Sequence, residues 1–544
     1  MDIPELEISE GTSRRRVPVG KRPITIGRHA DNQIVIDDER ASRFHCVVEM
    51  TDQGLRLTDL NSRNGTLLNG NPVKKVILKT ADVVIIGQTT IKIFLPEPEV
   101  EEAELEEIVD EAVQVELDPV VHLQKLAASL ADRGVQETDI NLLNARNQLV
   151  HAGRVAQPRK PGAPPDIVDI LRNVLLVCFR SRASDIHIEP KNDDYQIRTR
   201  VDGNMVELLR VAKEFGSKLT AIVKILCDID IAQRGTVQEG HFTVKLPDRR
   251  VDYRVSFAPA VFGQKLVIRV LDTAGAPQYL WNLEMPKAMF TTVQDAIQNE
   301  AGSILVCGPT GSGKTTTLYA VVRSMDSGER NIVTIEDPVE IQIDGVTQIP
   351  VTEDNTFSML LKSVLRQDPD AILVGEIRDG ETAKTAMQAA VTGHLVFSTL
   401  HSRDTVGALF RLLDLGVEPY LAASGVQVIL AQRLVRKLCP ACKRAVRATP
   451  VQAAKMAAVG DVSRIYEPVG CPQCLGTGFL GRRCVFELLN MNEAMRDIVM
   501  RSPNLPDIQR ALLDMNFVNL QQNGYALVAE GVSSFNEVER AVSL

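Results

Sequence analysis

The 544-residue sequence predicts a multidomain chain: an N-terminal all-β sandwich, an α+β middle domain, and a C-terminal α/β domain with a tetracysteine insert. Three observations predict this. Between Val17 and Leu95, eight short apolar runs (RPITIGR, NQIVIDD, HCVVEM, GLRLTDL, GTLLNG, VKKVILK, DVVIIGQ, TIKIFLP) alternate in strand fashion between turn signals, without helical periodicity. From Asp166 to about Asp272 a helical run (DIVDILRNVLLVCFRSR) precedes alternating strands and one more helix near Lys218–Leu226. Beyond Gly302, strands and helices take turns (SILVCG, TTTLYAVVRSM, NIVTIED, FSMLLKSVL, AILVGE, TAKTAMQAAV, HLVFST), the pattern of a mainly parallel sheet covered on both faces. At about 150 residues per domain the length suits three or four domains and excludes a small disulfide-stapled fold.

The elements divide as a sandwich over 1–96, an acidic linker over 97–118, a short helical segment over 119–152, a Pro/Gly-rich hinge over 153–165, the middle domain over 166–280, and the C-terminal domain over 281–544 with its insert at 436–485. Asp118-Pro119 reads as a cap and first helical position, with Leu123, Leu126, Ala127 and Leu130 on one face and Gly134 as a stop. A second short helix is expected from Thr138 to His151.

Charge is concentrated rather than spread. The chain has 61 basic and 70 acidic residues, a net −9, and eleven of the acidic residues lie between Glu97 and Asp118 without one basic residue. Removing that tract leaves the remainder at +2, so the acidity belongs to a solvated tether. No run approaches the roughly 18 apolar residues that span a bilayer, and MDIPELEISEG lacks a signal-peptide pattern, so a cytosolic protein is expected. Aromatic residues are only 4%, a poor supply of stacking platforms for single-stranded nucleic acid.

Gly308–Thr315 reads GPTGSGKT and follows an apolar strand into a helix, the context in which backbone N–H groups close around phosphates. Gly308, Pro309, Thr310, Gly311, Ser312 and Gly313 would form the cradle, Lys314 would reach the β/γ-phosphates, and Thr315 would hold Mg²⁺. Glu376 ends the strand AILVGE, and Glu336-Asp337 end NIVTIED, both where parallel strands would meet a nucleotide. Each could instead be a buried capping carboxylate. His394 and His401 flank HLVFSTLH, where an imidazole could sense the γ-phosphate or be a satisfied loop residue.

The ordered set GPTGSGKT, TIEDPVE, LVGEIRD and GHLVFSTLH resembles the secretion-motor ATPase superfamily. With RASDIHIEP, RVDG, VDYRVSFAP and paired CxxC motifs, it resembles the type II secretion and type IV pilus assembly (extension) ATPases, over roughly Asp166 to the C-terminus. The resemblance implies a RecA-like ATPase domain and a homohexamer with ATP held between two domains of the subunit. Arg254 and Arg269 of the smaller domain would close on the phosphates. It further implies Glu376 as general base and Glu336 and Asp337 as an acidic box for water and metal. The sequence departs from the family pattern at His241, where arginine is common, and at Gln264, where glutamate is common.

Cys439, Cys442, Cys471 and Cys474 form two CxxC pairs separated by 28 residues. In a reducing compartment they suit closed tetrahedral Zn²⁺ with a structural role, four free thiols being the alternative. Cys46, Cys178, Cys227, Cys307 and Cys484 sit singly in apolar runs and read as core. Extension motors usually carry this insert and retraction motors usually lack it.

Gly27-Arg28, Ser42-Arg43-Phe44-His45 and Asn61–Thr66 would bring an arginine, a serine and an asparagine together on loops at one end of the sandwich, a small anion site. This spacing resembles a forkhead-associated (FHA) domain. The resemblance implies that Arg28, Ser42 and Asn64 contact a phosphothreonine, helped by Arg43 and Arg63, with His45 and Gly65 structural; the alternative is a non-binding spacer. The usual N-terminal docking domain of extension motors is not recognisable, and 119–152 is read as its shrunken substitute.

The expected function is therefore a hexameric ATPase at the inner face of the cytoplasmic membrane. It would power assembly of a type IV pilus or type II secretion pseudopilus, work against a membrane platform protein, and be gated or recruited through a phosphothreonine-containing protein. A retraction or DNA-transfer motor and a phosphopeptide adaptor with a scaffold-only ATPase portion are the rival readings. The lack of a basic stripe speaks against nucleic acid.

Overall fold

The structure, a computed structural model, describes all residues except 1–3, 11–12, 21–22, 52–53, 79–81, 96–117, 156–164, 273–274, 326, 502, 516 and 544. Most of the acidic linker and of the hinge lies outside the described residues. The chain separates into two compact units, Met1–Glu116 and Leu117–Leu544.

In the first unit all eight apolar runs are strands, joined by Glu5–Glu10, Ser13–Pro18 and Asn71–Val73. They form a six-stranded and a five-stranded sheet. Alternation puts one face of each sheet inward: Leu6 and Ile8 of one strand and Ile91 and Ile93 of its neighbour meet Ile26, Val48 and Leu57 of the other sheet in a closed apolar core.

The second unit opens on the helix Pro119–Ser129, capped by the Asp118 carboxylate, which accepts the Val120 N–H at 2.9 Å. The helix expected over Thr138–His151 is not formed. A 3₁₀ turn (Glu137–Asp139) is followed by two short strands, Asn141–Leu143 and Leu149–His151, joined at a turn where Asn147 is left-handed (φ 61°). Leu142 pairs with Val244, so these strands extend the edge of the middle sheet, and this tertiary pairing overrides the local helical signal. The helix and both strands share the middle domain's core through Val120, Leu123, Ile140 and Leu142.

That sheet has eight antiparallel strands, in the order Leu149–His151, Asn141–Leu143, Gln238–Lys245, Arg250–Ala260, Gly263–Leu271, Ala183–Pro190, Asp194–Val201 and Asn204–Ala212. The helices Ile167–Ser181 and Lys213–Leu226 bury their apolar sides on one face. The other face is charged. His241, Arg254, Arg269, Asp185 and Arg200 are successive cross-strand neighbours in one row across it.

The C-terminal sheet runs Thr347–Pro350, Ile332–Glu336, Ala371–Val374, Leu395–Leu400, Gly302–Cys307, Val426–Leu438 and Phe479–Asn490, parallel except for the last strand. Ile304 and Val306 enter the core on one face while Leu305 and Cys307 enter the core on the other, as a doubly covered sheet requires. Among the described residues no helix is long and apolar enough to cross a membrane.

Candidate functional site

The carboxyl ends of four neighbouring parallel strands release their loops at one edge of the C-terminal sheet, where open α/β sheets hold ligands. Gly302–Cys307 delivers the GPTGSGKT loop, Ile332–Glu336 the acidic pair, Ala371–Val374 Glu376, and Leu395–Leu400 His401. They line a cavity of about 700 Å³ together with Arg269 and Arg482. The loop needs its glycines: Gly308 (φ 153°) has Ser312 Oγ and the Gln432 carbonyl at 2.6 and 2.7 Å from where a Cβ would be. The helix Lys314–Arg323 then starts on Gly313 (φ 89°), with its first N–H groups open toward the cavity.

Lys314 Nζ donates to the Gly308 and Pro309 carbonyls at 2.9 and 3.1 Å, curled onto its own loop. Burial lowers its pKa, against the opposing pull of Cys307 and of the Glu376 carboxylate. Thr315 is exposed to the cavity. The Glu376 carboxylate is largely covered, with Arg378 Nη2 at 2.5 Å and His401 Nε2 at 3.6 Å.

Glu336 and Asp337 have different surroundings. Glu336 is buried and fully engaged: it accepts from the Tyr319 hydroxyl, from Thr334 Oγ1 at 2.5 Å and from Gln348 Nε2 at 3.1 Å. Asp337 is exposed at the cavity, with its carboxylate open to it. His394 is not brought to this place. It precedes the strand whose far end carries His401, roughly 20 Å away by strand rise, and its Nδ1 meets the Ala389 carbonyl. Only His401 of the two lines the cavity.

Arg254 and Arg269 are direct cross-strand partners on the charged face of the middle sheet. Arg269 lines the cavity and its Nε lies 3.3 Å from Asp185; Arg254 Nη1 lies 3.4 Å from Glu340. His241 is the cross-strand neighbour of Arg254, and Gln264 is buried, donating to the Arg234 carbonyl at 3.1 Å. Sequence reasoning missed Glu340, Tyr319 and Arg482. Glu340 closes the TIEDPVE motif, and Tyr319 lies five residues beyond Lys314. Arg482 follows the second cysteine pair, reaching the Asp202 of RVDG at 3.7 Å.

The four cysteine sulfurs lie within 4.8 Å of one another. Zn–S bonds of about 2.3 Å in a tetrahedron put sulfurs about 3.8 Å apart. Here Cys439–Cys471, Cys442–Cys474 and Cys471–Cys474 are 3.9, 3.9 and 3.7 Å apart, close to that spacing, so the donor set fits zinc. The N–H groups of Gly470, Cys471 and Gly478 point at Cys442 or Cys474 sulfur from 3.2–3.3 Å, as thiolates need.

In the first unit the expected phosphate-binding residues come together. Arg28 N–H donates to the Ser42 carbonyl (3.1 Å), Arg63 N–H to Ser42 Oγ (2.9 Å), and Asn64 Nδ2 to the Arg40 carbonyl (2.7 Å). Ser42 Oγ accepts, which leaves its hydroxyl hydrogen for a ligand oxygen. Gly27 must be glycine because a Cβ would sit 2.4 Å from the Arg43 carbonyl oxygen. His45 is buried beneath: Nδ1 accepts the Ser42 N–H (3.0 Å), so Nε2 carries the proton toward the Gly65 carbonyl (3.2 Å), and burial lowers its pKa.

Comparison with known proteins agrees with both halves. Residues 164–540 match the family described as "Type II/IV secretion system protein", and residues 24–87 match the FHA domain. The "Type II secretion system protein E" of Pectobacterium carotovorum subsp. carotovorum is 41% identical over 376 residues, covering 69% of this chain and 75% of its own. The "Type IV pilus assembly ATPase PilB" of Myxococcus xanthus (strain DK1622) is 37% identical over 379 residues, 68% and 67% of the two chains. The X-ray structure of the Legionella pneumophila ATPase DotB shares the fold with a TM-score of 0.52 and 21% identity, over 70% of this chain and 97% of that one. A nucleotide loop, two carboxylate-bearing strand ends and a tetracysteine cluster on this scaffold place the chain in the type II/IV secretion system protein family, as an ATPase preceded by an FHA domain.

Proposed function

We propose that this ATPase works as a homohexamer on the inner-membrane platform of a pilus or type II secretion machine, and that its FHA domain recruits or gates it through a phosphothreonine-containing protein. The observation that supports the motor reading most is the cavity shared by the nucleotide loop, Glu376 and the middle-domain Arg269. In this reading ATP binding draws Lys314 from its loop carbonyls onto the phosphates, and Glu376 takes a proton from the attacking water. Arg254 and Arg269 neutralise the phosphoryl charge as the domains close. Bound Mg²⁺ would add charge neutralisation at the phosphates, with Thr315 and, through water, Asp337 as its protein partners. Zinc on the four cysteines would be structural.

The phosphothreonine reading is supported by the convergence of Arg28, Ser42 and Asn64 over a glycine-tight backbone, with Arg43 and Arg63 beside them. The acidic linker contains no serine or threonine, so a phosphorylated ligand comes from elsewhere. In cells lacking the chromosomal copy, the wild-type chain should restore piliation or secretion, and Arg28→Ala should restore it weakly while leaving ATP turnover in vitro unchanged. Binding to a phosphothreonine peptide should fall at least tenfold in that variant, the scale of a lost charge-assisted bidentate contact. Equal binding to phosphorylated and unphosphorylated peptide contradicts the regulatory reading.

A further inference from the structure

Glu340 has no part in the mechanism above, yet it is an exposed carboxylate at the cleft whose backbone is held by hydrogen bonds. Its backbone N–H donates to the Tyr319 hydroxyl at 3.3 Å, and that hydroxyl donates to buried Glu336. Gln348, which holds Glu336, also donates to the Ile341 carbonyl (2.9 Å) and accepts the Ile343 N–H (2.7 Å). The 337–343 segment is thus stapled to the end of its strand and, through Tyr319, to the helix that begins at Lys314.

On the far side of the cleft, Arg254 and Arg269 stand directly opposite each other on adjacent strands, where two like charges repel. Each is met by one carboxylate: Arg269 by Asp185 of its own sheet, and Arg254 by Glu340 of the other domain. We propose that Glu340 is a positioning residue for ATP hydrolysis, holding one edge of the Arg254 guanidinium at the cleft while its other edge turns to the phosphates when nucleotide arrives. This rests on the ATPase reading of the cleft. An arginine repelled by its neighbour, on a flexible stem, is held in one place only by an anion that is itself fixed.

Both partners are about two-fifths exposed, so the pair adds little to stability, and its removal should be felt in kcat. The test is a kinetic cycle on the full chain with Glu340→Gln, Arg254→Gln and the double variant, each with melting temperature and affinity for a non-hydrolysable ATP analogue. Glu340→Gln should lower kcat by about tenfold, with KM, analogue affinity and melting temperature near wild type, and the double variant should be no slower than Arg254→Gln alone. Glu340→Asp should recover part of the rate. Effects that multiply in the double variant, an unchanged kcat in Glu340→Gln, or a change confined to KM would overturn the proposal. Lys314→Ala in the same assay tests the underlying reading separately: turnover that survives it fails the reading, whatever the cycle shows.

Discussion

Glu376→Gln should lower kcat by about a thousandfold while ATP stays bound, because the variant keeps the shape of the side chain and loses its basicity. The amide oxygen still accepts from Arg378, so the loop after the strand Ala371–Val374 has no reason to move. Among the described residues at this strand end, what is lost is the carboxylate that lines the cavity while largely shielded from water, where a base would act most effectively on an attacking water. Single-turnover phosphate release separates the two contributions. A variant that binds ATP poorly but turns it over at the wild-type rate would move Glu376 from chemistry to binding.

Removing the metal should be comparably severe, and local. Closed thiolate sites contribute on the order of 10 kcal/mol to the fold they organise, which for the 443–470 segment adds to the burial of Met456, Val462 and Ile465 in the C-terminal core. The helix Pro450–Lys455 buries no residue, and the paired strands Arg444–Arg447 and Arg464–Glu467 form a two-stranded ribbon, which is marginal alone. The strands that flank the insert, Val426–Leu438 and Phe479–Asn490, are paired along most of their length and should persist. Chelation or Cys474→Ser should therefore abolish stoichiometric zinc and raise hydrogen exchange across 440–470, while Gly302–Cys307 stays protected. The second knuckle also seats Leu475 against the middle-domain core, so the Asp202–Arg482 contact should loosen with it. A metal-free chain with a fully protected insert would contradict the zinc assignment.

Much of the site is legible in the sequence because its chemistry needs short fixed spacings. A phosphate cradle requires glycines in one loop, zinc requires paired cysteines, and an anion pocket on a sandwich requires residues at loop ends. Residues at the close of a parallel strand are legible too, since the chain direction puts Glu336, Glu376 and His401 at one edge. The same rule excludes His394, which opens its strand and so lies at the opposite edge; motif membership alone hides that difference. The Thr138–His151 segment is not legible because three-residue strands carry no period of their own and exist only by pairing, Asn141–Leu143 with Gln238–Lys245 and Leu149–His151 with Asn141–Leu143. Glu336 reads as a metal-side acid until its three hydrogen-bond donors are seen, one of them a tyrosine on another element. Glu340 and Arg254 are 86 residues apart and meet only across the domain cleft, a relation no local pattern encodes.

The cleft between the nucleotide loop and the middle-domain arginines should hydrolyse ATP, measured as phosphate release by the full chain with Mg²⁺ beside Lys314→Ala at the same concentration. Turnover in the wild type that falls to background in the variant is the expected result; equal release by both chains, or none by the wild type, would contradict it.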